Sequence, residues 1–472
     1  FFQNVFNAIK LAEPKIPSLS DKYKEKCPTL GSDHSSKPLF TENFLKQFVQ
    51  LTPHEVESLK KSHSTFLKNT PNSIPKNLKY RGSGIVYAGG GKFNWLALLS
   101  IKSLRRLGSK LPVEILIPTL DDYEIELCTQ IFPAYNARCI YLPEVLGQKV
   151  TKSFQFKGYQ YKILAILASS FEKILLLDAD NIPVINPDYL FKTDPFISNG
   201  LVTWPDFWRR TTSPYFYDVA QIKLGKRVRY GYTTYGIHDP GIGAKDEQDL
   251  AEVPLHDREG SIPDSSTESG QLMVNKKTHF KMLLLSLYYN SYGPDYFYPL
   301  LSQGSMGEGD KDTFLAAAVK TGSKFYQVNK FVGVLGYDND GTFQGTSMIQ
   351  SDPVEDYREA NKALKLKLQE TNSKEEIVLK PAELKILFVH SNYPKLNPAL
   401  LKKNKSLLDK NDKRHRHYGK NDIEGYDLEL KIWEDMKYFI CKLKVQTKAF
   451  EGMGTDELCK ELDEQIEFLK ST

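Results

Sequence analysis

"KILLLDADNIPV", residues 173–184, is the stretch that decides how this chain is read. A basic residue leads into a run of apolar ones, and Asp178 and Asp180 then stand one residue apart. An apolar run of that length ending in turn-forming residues predicts a parallel strand buried on both faces. Its carboxyl end is where open α/β sheets bind their ligands. Two carboxylates so placed repel each other unless something positive lies between them. The pair suits a hard divalent cation with oxygen ligands, which would in turn hold phosphates. Two solvated loop aspartates are the bland alternative, and they fit poorly behind so apolar a strand.

Upstream, the texture supports that strand. "GIVYAGGG" (84–91) reads as a strand running into a glycine turn, and "FNWLALLSIKSLRRLG" (93–108) as an amphipathic helix closed by Gly108. "LPVEILIP" (111–118) is a strand, "DDYEIELCTQIF" (121–132) a helix, "ARCIYLP" (137–143) a third strand, and "YQYKILAILASSF" (159–171) a helix feeding the aspartate strand. This alternation predicts a doubly wound, mostly parallel α/β sheet. In the first turn, Ala88, Gly89, Gly90 and Gly91 would let backbone approach a nucleotide and offer amides at a helix N-terminus. They could equally be a tight turn and nothing more.

Downstream the pattern loosens into aromatic and glycine-rich loops, "TWPDFWRRTTSPYFY" (203–217) and "RYGYTTYGIHDPGIG" (229–243). "GQLMVNKKTHFKMLLLSLYY" (270–289) gives a strand and a helix, and "KDTFLAAAVKTG" (311–322) a helix. "LKILFVHSNYPK" (384–395) is a late buried strand ending in polar residues, with His390 at its end and Lys395 just after. A histidine so placed is a candidate third ligand for the cation. Residues 1–80 read as a helical stem or collar, in which Thr52 caps a helix opened by Pro53. Residues 81–400 form the catalytic domain and 401–472 a charged helical extension packed on its flank, with linker-like texture at 350–380.

Composition narrows the function. A net charge of +5 on 472 residues, with the basic groups scattered, makes nucleic acid a poor candidate partner. No run of 18 apolar residues occurs, so nothing here spans a membrane as a helix. The first residue is Phe rather than Met, which leads us to expect a trimmed chain with any signal or anchor upstream. Aromatic clusters such as "LYYNSYGPDYFYPL" (287–300) fill a core or, if exposed, stack on sugars. Cys128/Cys139 and Cys441/Cys459 are close enough to pair, leaving Cys27, and buried free thiols are the equal alternative. Asn404-Lys405-Ser406 is a sequon compatible with a secretory route.

The aspartate motif also resembles the first motif of haloacid-dehalogenase-like phosphatases, with "GEGDKDTF" (307–314) as a late acidic motif. In those enzymes the nucleophile strand opens the domain, whereas here three βα units precede it. Asp310 and Asp312 are too close for the usual acidic spacing, and no glycine turn is expected there before the first strand.

"GIVYAGGGKFNWLALLSIKSLRRLG", "FKGYQYKILAILASSFEKILLLDADNIPV", "TESGQLMVNK" and "GDKDTF", in that order, resemble the fungal Golgi α-mannosyltransferases that build cell-wall mannan. The similarity covers about residues 80–400 and is greatest to the α-1,2 branch that starts side chains on the α-1,6-mannose backbone of N-glycans. It implies a GT-A fold, a GDP-mannose donor, Mn²⁺ as cofactor and retention of the α configuration. It further implies a type II membrane protein in the Golgi lumen, anchored upstream of this chain, with a Golgi mannosyltransferase complex as partner. By the same resemblance, Mn²⁺ would bridge Asp178 and Asp180 to the donor diphosphate. His390 would complete the metal shell, Asp178 would also face the ribose, and Lys162 and Lys395 would meet phosphate. Glu268 and Gln271, in "STESGQLMVN", would lie beneath the reacting sugar. Asp310 would position the acceptor hydroxyl, and Asp312 would be catalytic or merely a helix cap. Trp204, Asp206 and Trp208 would touch acceptor sugar. Alternatives are an α-1,3-mannosyltransferase, the phosphohydrolase above, or an inactive mannan-binding scaffold, against which the intact "DAD", "ESGQ" and "GDKD" speak.

Overall fold

The computed structural model describes residues 1–31, 38–229, 250–339, 341–370 and 383–472. Strands β1 (Ser83–Ala88), β2 (Val113–Ile117), β3 (Ala137–Tyr141) and β4 (Lys173–Asp178) pair in parallel in the order β3-β2-β1-β4. After the short β5 (Asn181–Pro183) come β6 (Leu201–Pro205), β7 (Thr267–Asn275) and β8 (Tyr326–Gln327). β7 inserts antiparallel between β4 and β6, and β8 pairs in parallel with β6, giving one seven-stranded sheet. The aspartate strand is therefore parallel to one neighbour and antiparallel to the other. β7 alone opposes the common direction, so the sheet is mostly parallel as expected.

Between Lys173 and Asp178, β4 is apolar because both its faces are covered. Ile174 and Leu176 enter one core layer, and Leu175 and Leu177 the other. The first layer holds helices Phe2–Leu11, Pro53–Asn69, Gln160–Ala168, Lys276–Ser291 and Thr313–Thr321. The second holds Lys92–Arg106, Leu428–Lys437 and Thr455–Ser471. The aromatic run at 287–300 fills the first layer, where Tyr288, Tyr289 and Phe297 are buried.

A second sheet sets up the site. β9 (Gly333–Asn339), β10 (Thr342–Ser351) and β11 (Ile386–His390) join β5 in the antiparallel order β5-β11-β10-β9. Only Ala179 and Asp180 separate β4 from β5, so the "DAD" turn is the crossing point between the sheets. In the β5–β11 register His390 pairs with Asn181. The last residue of the late strand is thereby delivered to the aspartate turn.

Local expectations fare unevenly. Thr52 and Glu55 form a reciprocal capping box with Pro53 at the helix start. Cys128–Cys139 and Cys441–Cys459 are disulfides, and Cys27 is a buried free thiol. The helix expected at 121–132 is largely a widened turn, Leu127–Ile131, running into Phe132–Ala134. Pro133 has no N–H to continue a regular ladder there. The linker-like stretch at 350–380 begins instead with a helix, Pro353–Glu370, at whose start Asp352 accepts from Val354 N at 2.7 Å. Residues 371–382 lie outside the described residues, as do 230–243 of the tyrosine-rich loop. In the C-terminal region, 404–427 is irregular rather than helical. Among the described residues no helix is long and apolar enough to cross a membrane.

Candidate active site

Asp178 closes β4, Asp180 lies in the turn, and His390 arrives on β11. Their ligand atoms all lie within 4.8 Å of one another. His390 Nε2 is 3.2 Å from Asp180 Oδ1 and 3.9 Å from Asp178 Oδ2. Lys162, one turn into the helix that feeds β4, reaches Asp178 Oδ2 at 2.8 Å. Lys395, in the polar tail after β11, pairs with Asp180. Behind the imidazole, His390 Nδ1 faces Glu268 Oε1 at 3.4 Å. Gly270 makes room for that ring: a Cβ there would stand 2.5 Å from His390 Nδ1. This glycine of "ESGQ" is a requirement that reading the sequence missed.

Burial and charge divide the two aspartates. Burial raises the Asp178 carboxyl, and Lys162 only partly offsets it. Burial also acts to raise Asp180, but His390 and Lys395 outweigh it and hold this carboxyl below the ordinary range. Desolvation would discharge His390, yet Asp180 and Glu268 raise it well above the usual imidazole value. Glu268 is held low because His390 and Lys162 overcome its burial. Two carboxylate oxygens and an imidazole nitrogen converging on one point are a donor set for a divalent ion such as Mn²⁺.

These groups line a cavity of about 600 Å³. Its wall gathers Ala88, Gly89, Gly90, Gly91, Lys162, Asp178, Asp180, His390 and Lys395, with Phe93, Tyr159 and Tyr161. The glycine turn contributes space rather than free amides, contrary to one sequence expectation. Gly89 N donates to Leu116 O at 3.0 Å, Gly90 N to Asn94 Oδ1 at 2.8 Å, and Gly91 N to Asp122 O at 3.2 Å. A Cβ at Gly89 would stand 2.3 Å from Ile115, and Gly90 has φ +104° with its Cβ position 2.7 Å from Pro118. Asn94 is fully buried and also donates to Glu124 Oε2 at 2.7 Å, so it fixes the turn. No motif signalled it.

The family model described as "Mannosyltransferase putative" matches residues 82–352, which include the glycine turn, the aspartate turn and the Glu268 strand. The α-1,2-mannosyltransferase MNN21 of Candida albicans is 44% identical over all of this chain and 75% of that protein. The α-1,2-mannosyltransferase MNN2 of Saccharomyces cerevisiae is 40% identical over all of this chain and 85% of that protein. The chain belongs to the fungal α-1,2-mannosyltransferase family. Its mostly parallel sheet with "DAD" at the end of β4 is the GT-A arrangement expected of such a member. Two solved glycosyltransferases are more distant. GlyE of Streptococcus pneumoniae is 15% identical with TM-score 0.28, over 53% of this chain and 45% of that one. The galactosyltransferase LgtC is 15% identical with TM-score 0.28, over 52% and 73%.

In this mannosyltransferase-family chain the remaining sequence candidates lie behind or beside the cavity. Glu268 is buried and uses both oxygens, accepting from Gly270 N and from Gln271 Nε2, each at 2.5 Å. Gln271 Oε1 in turn accepts from Asn181 Nδ2 at 2.5 Å. Glu268 and Gln271 thus brace His390 and the aspartate turn. Asn181 directly follows "DAD" and was overlooked. Asp310 accepts from Ser269 Oγ at 3.1 Å and lies 4.0 Å from Lys162 Nζ, and burial pushes its carboxyl up to about 6. Asp312 makes no side-chain cap. Its carboxylate pairs with the fully buried Arg210 at 2.6 Å and accepts from Thr267 N at 3.0 Å. Asp206 is buried and paired with Lys311. Trp204 is a correction: it is fully buried between the sheets, donates to Ser351 O at 2.9 Å and packs on Phe388. It presents no face to a sugar. Trp208 is half-buried beside Phe207.

Proposed function

We propose that this protein transfers mannose from GDP-mannose in α-1,2 linkage, with retention, to the α-1,6-mannose backbone of N-glycans during cell-wall mannan synthesis. The observation that carries the reading is the convergence of Asp178, Asp180 and His390 on one cavity whose walls include Lys162, Lys395 and the glycine turn. The names of its relatives support mannose and the linkage. We further propose action in the Golgi lumen, with an anchor upstream of the described chain and a Golgi mannosyltransferase complex as partner.

Asp178, Asp180 and a neutral His390 would hold Mn²⁺, with the hard-oxygen and imidazole donors that ion accepts. When bound, the ion supplies Lewis-acid stabilisation of the departing diphosphate. The chain's own residues do the rest. Lys162 and Lys395, each already turned toward an aspartate, are placed to meet phosphate oxygens as the sugar–phosphate bond breaks. The start of helix Lys92–Arg106 adds a favourable dipole for that anion. Glu268 and Gln271 keep the imidazole and the aspartate turn aligned behind the reacting sugar. The closed glycine turn keeps side chains out of the space the nucleotide needs.

The test is transfer from GDP-mannose to α-1,6-mannobiose with Mn²⁺, products read by linkage analysis. An α-1,2-linked product is expected. An α-1,3 product would move the chain to the alternative linkage, and better use of a UDP-sugar would overturn the donor. Release of phosphate without transfer would favour the phosphohydrolase.

A further inference from the structure

The N-terminal segment reaches the loop 303–310, whose Gly309 packs against Tyr159 of the cavity lining. Tyr23 OH donates to Glu308 Oε2 at 2.9 Å, and the same oxygen accepts from Gly304 N at 2.9 Å. Thr29 Oγ1 lies 3.0 Å from Ser305 Oγ and accepts from Met306 N at 2.9 Å. Cys27 N donates to Gln303 O at 2.9 Å. The segment also holds the other acidic loop, since Arg209 N donates to Leu30 O at 2.8 Å. Lys311 and Asp206 join the two loops to each other.

The loop 303–310 needs such ties. It contains three glycines, of which Gly304 and Gly307 have φ of +73° and +78°. Glycine-rich chain loses much freedom when it is fixed. Its far end meets the cavity: a Cβ at Gly309 would stand 3.1 Å from the Tyr159 ring, and Asp310 is joined through Ser269 to Lys162. Tyr159 and Lys162 both line the cavity, and Lys162 holds Asp178.

We propose that residues 23–31 are a strap that positions the reaction site. Tyr23 and Thr29 are its positioning residues, acting through the loop 303–310 on Tyr159 and Lys162. For its effect on turnover, the proposal rests on the transferase reading above. Misplacing a reacting group by about 1 Å can cost about a hundredfold in rate, so partial loosening by one lost hydroxyl should cost less.

The experiment compares Tyr23→Phe, Thr29→Ala and Thr29→Ser with the unaltered chain. It follows amide hydrogen exchange over 304–309, initial rates with GDP-mannose and α-1,6-mannobiose, GDP affinity with Mn²⁺, and the thermal midpoint. Tyr23→Phe and Thr29→Ala should speed exchange in the loop and lower kcat about three- to tenfold. GDP affinity should stay within about twofold, the thermal midpoint should hold, and Thr29→Ser should restore kcat. Unchanged loop exchange, or a loosened loop with unchanged kcat, would overturn the strap. So would a kcat loss that merely tracks a falling midpoint. An unaltered chain inactive with GDP-mannose would instead sink the donor reading, and loop exchange in Tyr23→Phe would still decide whether the strap holds the loop.

Discussion

Replacing Glu268 by glutamine keeps the side chain's shape and removes one charge, and the structure says what that breaks. The carboxylate serves three neighbours: Gly270 N and Gln271 Nε2, each at 2.5 Å, and His390 Nδ1 at 3.4 Å. The two amide donors sit on different oxygens. A glutamine has one acceptor oxygen, so one of these buried donors would face an NH₂ group. An unsatisfied buried donor costs about 1–3 kcal/mol, which should appear as a lower thermal midpoint. The second loss falls on His390, which depends on Asp180 and Glu268 for its raised basicity. Removing the outer partner of a metal-ligating histidine typically costs about 10–100-fold in metal affinity or activity, about 1.4–2.8 kcal/mol. The Mn²⁺ concentration that half-saturates transfer should therefore rise by about that factor. Calorimetric titration of GDP across a range of Mn²⁺ concentrations, beside initial rates, reads both effects. An unshifted Mn²⁺ requirement would refute the bracing role. Turnover lowered about a hundredfold at saturating Mn²⁺ would instead put the carboxylate at the reacting sugar, about 2.7 kcal/mol of transition-state stabilisation.

Asp180→Ala should lose activity by orders of magnitude and remain folded, because its partner Lys395 is 41% exposed and can turn to water; retained activity in EDTA would contradict metal dependence. Gly270→Ala should weaken Mn²⁺-dependent GDP binding much as His390→Ala does, since the added methyl would stand 2.5 Å from the imidazole; wild-type titration curves would show that the ring can move at no cost. Burial, helped by the charge of Lys320, holds His63 down to about 3. An unfolded histidine takes up its proton near about 6.5, so this contribution is full above that pH and is lost as pH falls from there toward about 3. His63→Gln should flatten the fall in thermal midpoint across that window, and an unchanged slope would assign it elsewhere. Cys441→Ser opens a loop of sequence separation 18 between two C-terminal helices and should cost about 3 kcal/mol in the chain-entropy account; a stability change under about 1 kcal/mol would mean the unfolded chain is already compact there.

What could be read from the sequence was what short stretches encode by themselves. The apolar run into "DAD", the glycine turn and the intervening amphipathic helices each carry their period and punctuation within about ten residues. Hence the parallel half of the sheet and half of the cavity wall were legible. His390 was legible because it ends an apolar strand, although nothing local says that β11 lies antiparallel to β5. What failed depended on partners far along the chain. Trp204 looked like a loop residue because the strand–helix alternation loosens around "TWPDFW", but β6 is an inner strand covered by β11. Asp312 stands where a helix cap would stand, and Arg210, 102 residues earlier, claims its carboxylate.

The two halves of the site also differ in kind. On the donor side one turn has two tasks, since the residues that end β4 and start β5 both join the sheets and present the acids. A strand signal there is also a site signal, and the chemistry could be read off the pattern. On the Asp310 side no strand end presents the group directly. Asp310 is held by Ser269, Asp206 by Lys311, and the loop between them by Tyr23 and Thr29. Each tie is made by side chains across a long stretch of chain, and none leaves a periodic trace. That side is assembled by tertiary structure, so residues in the N-terminal segment bear on the site only through the loop they tie down.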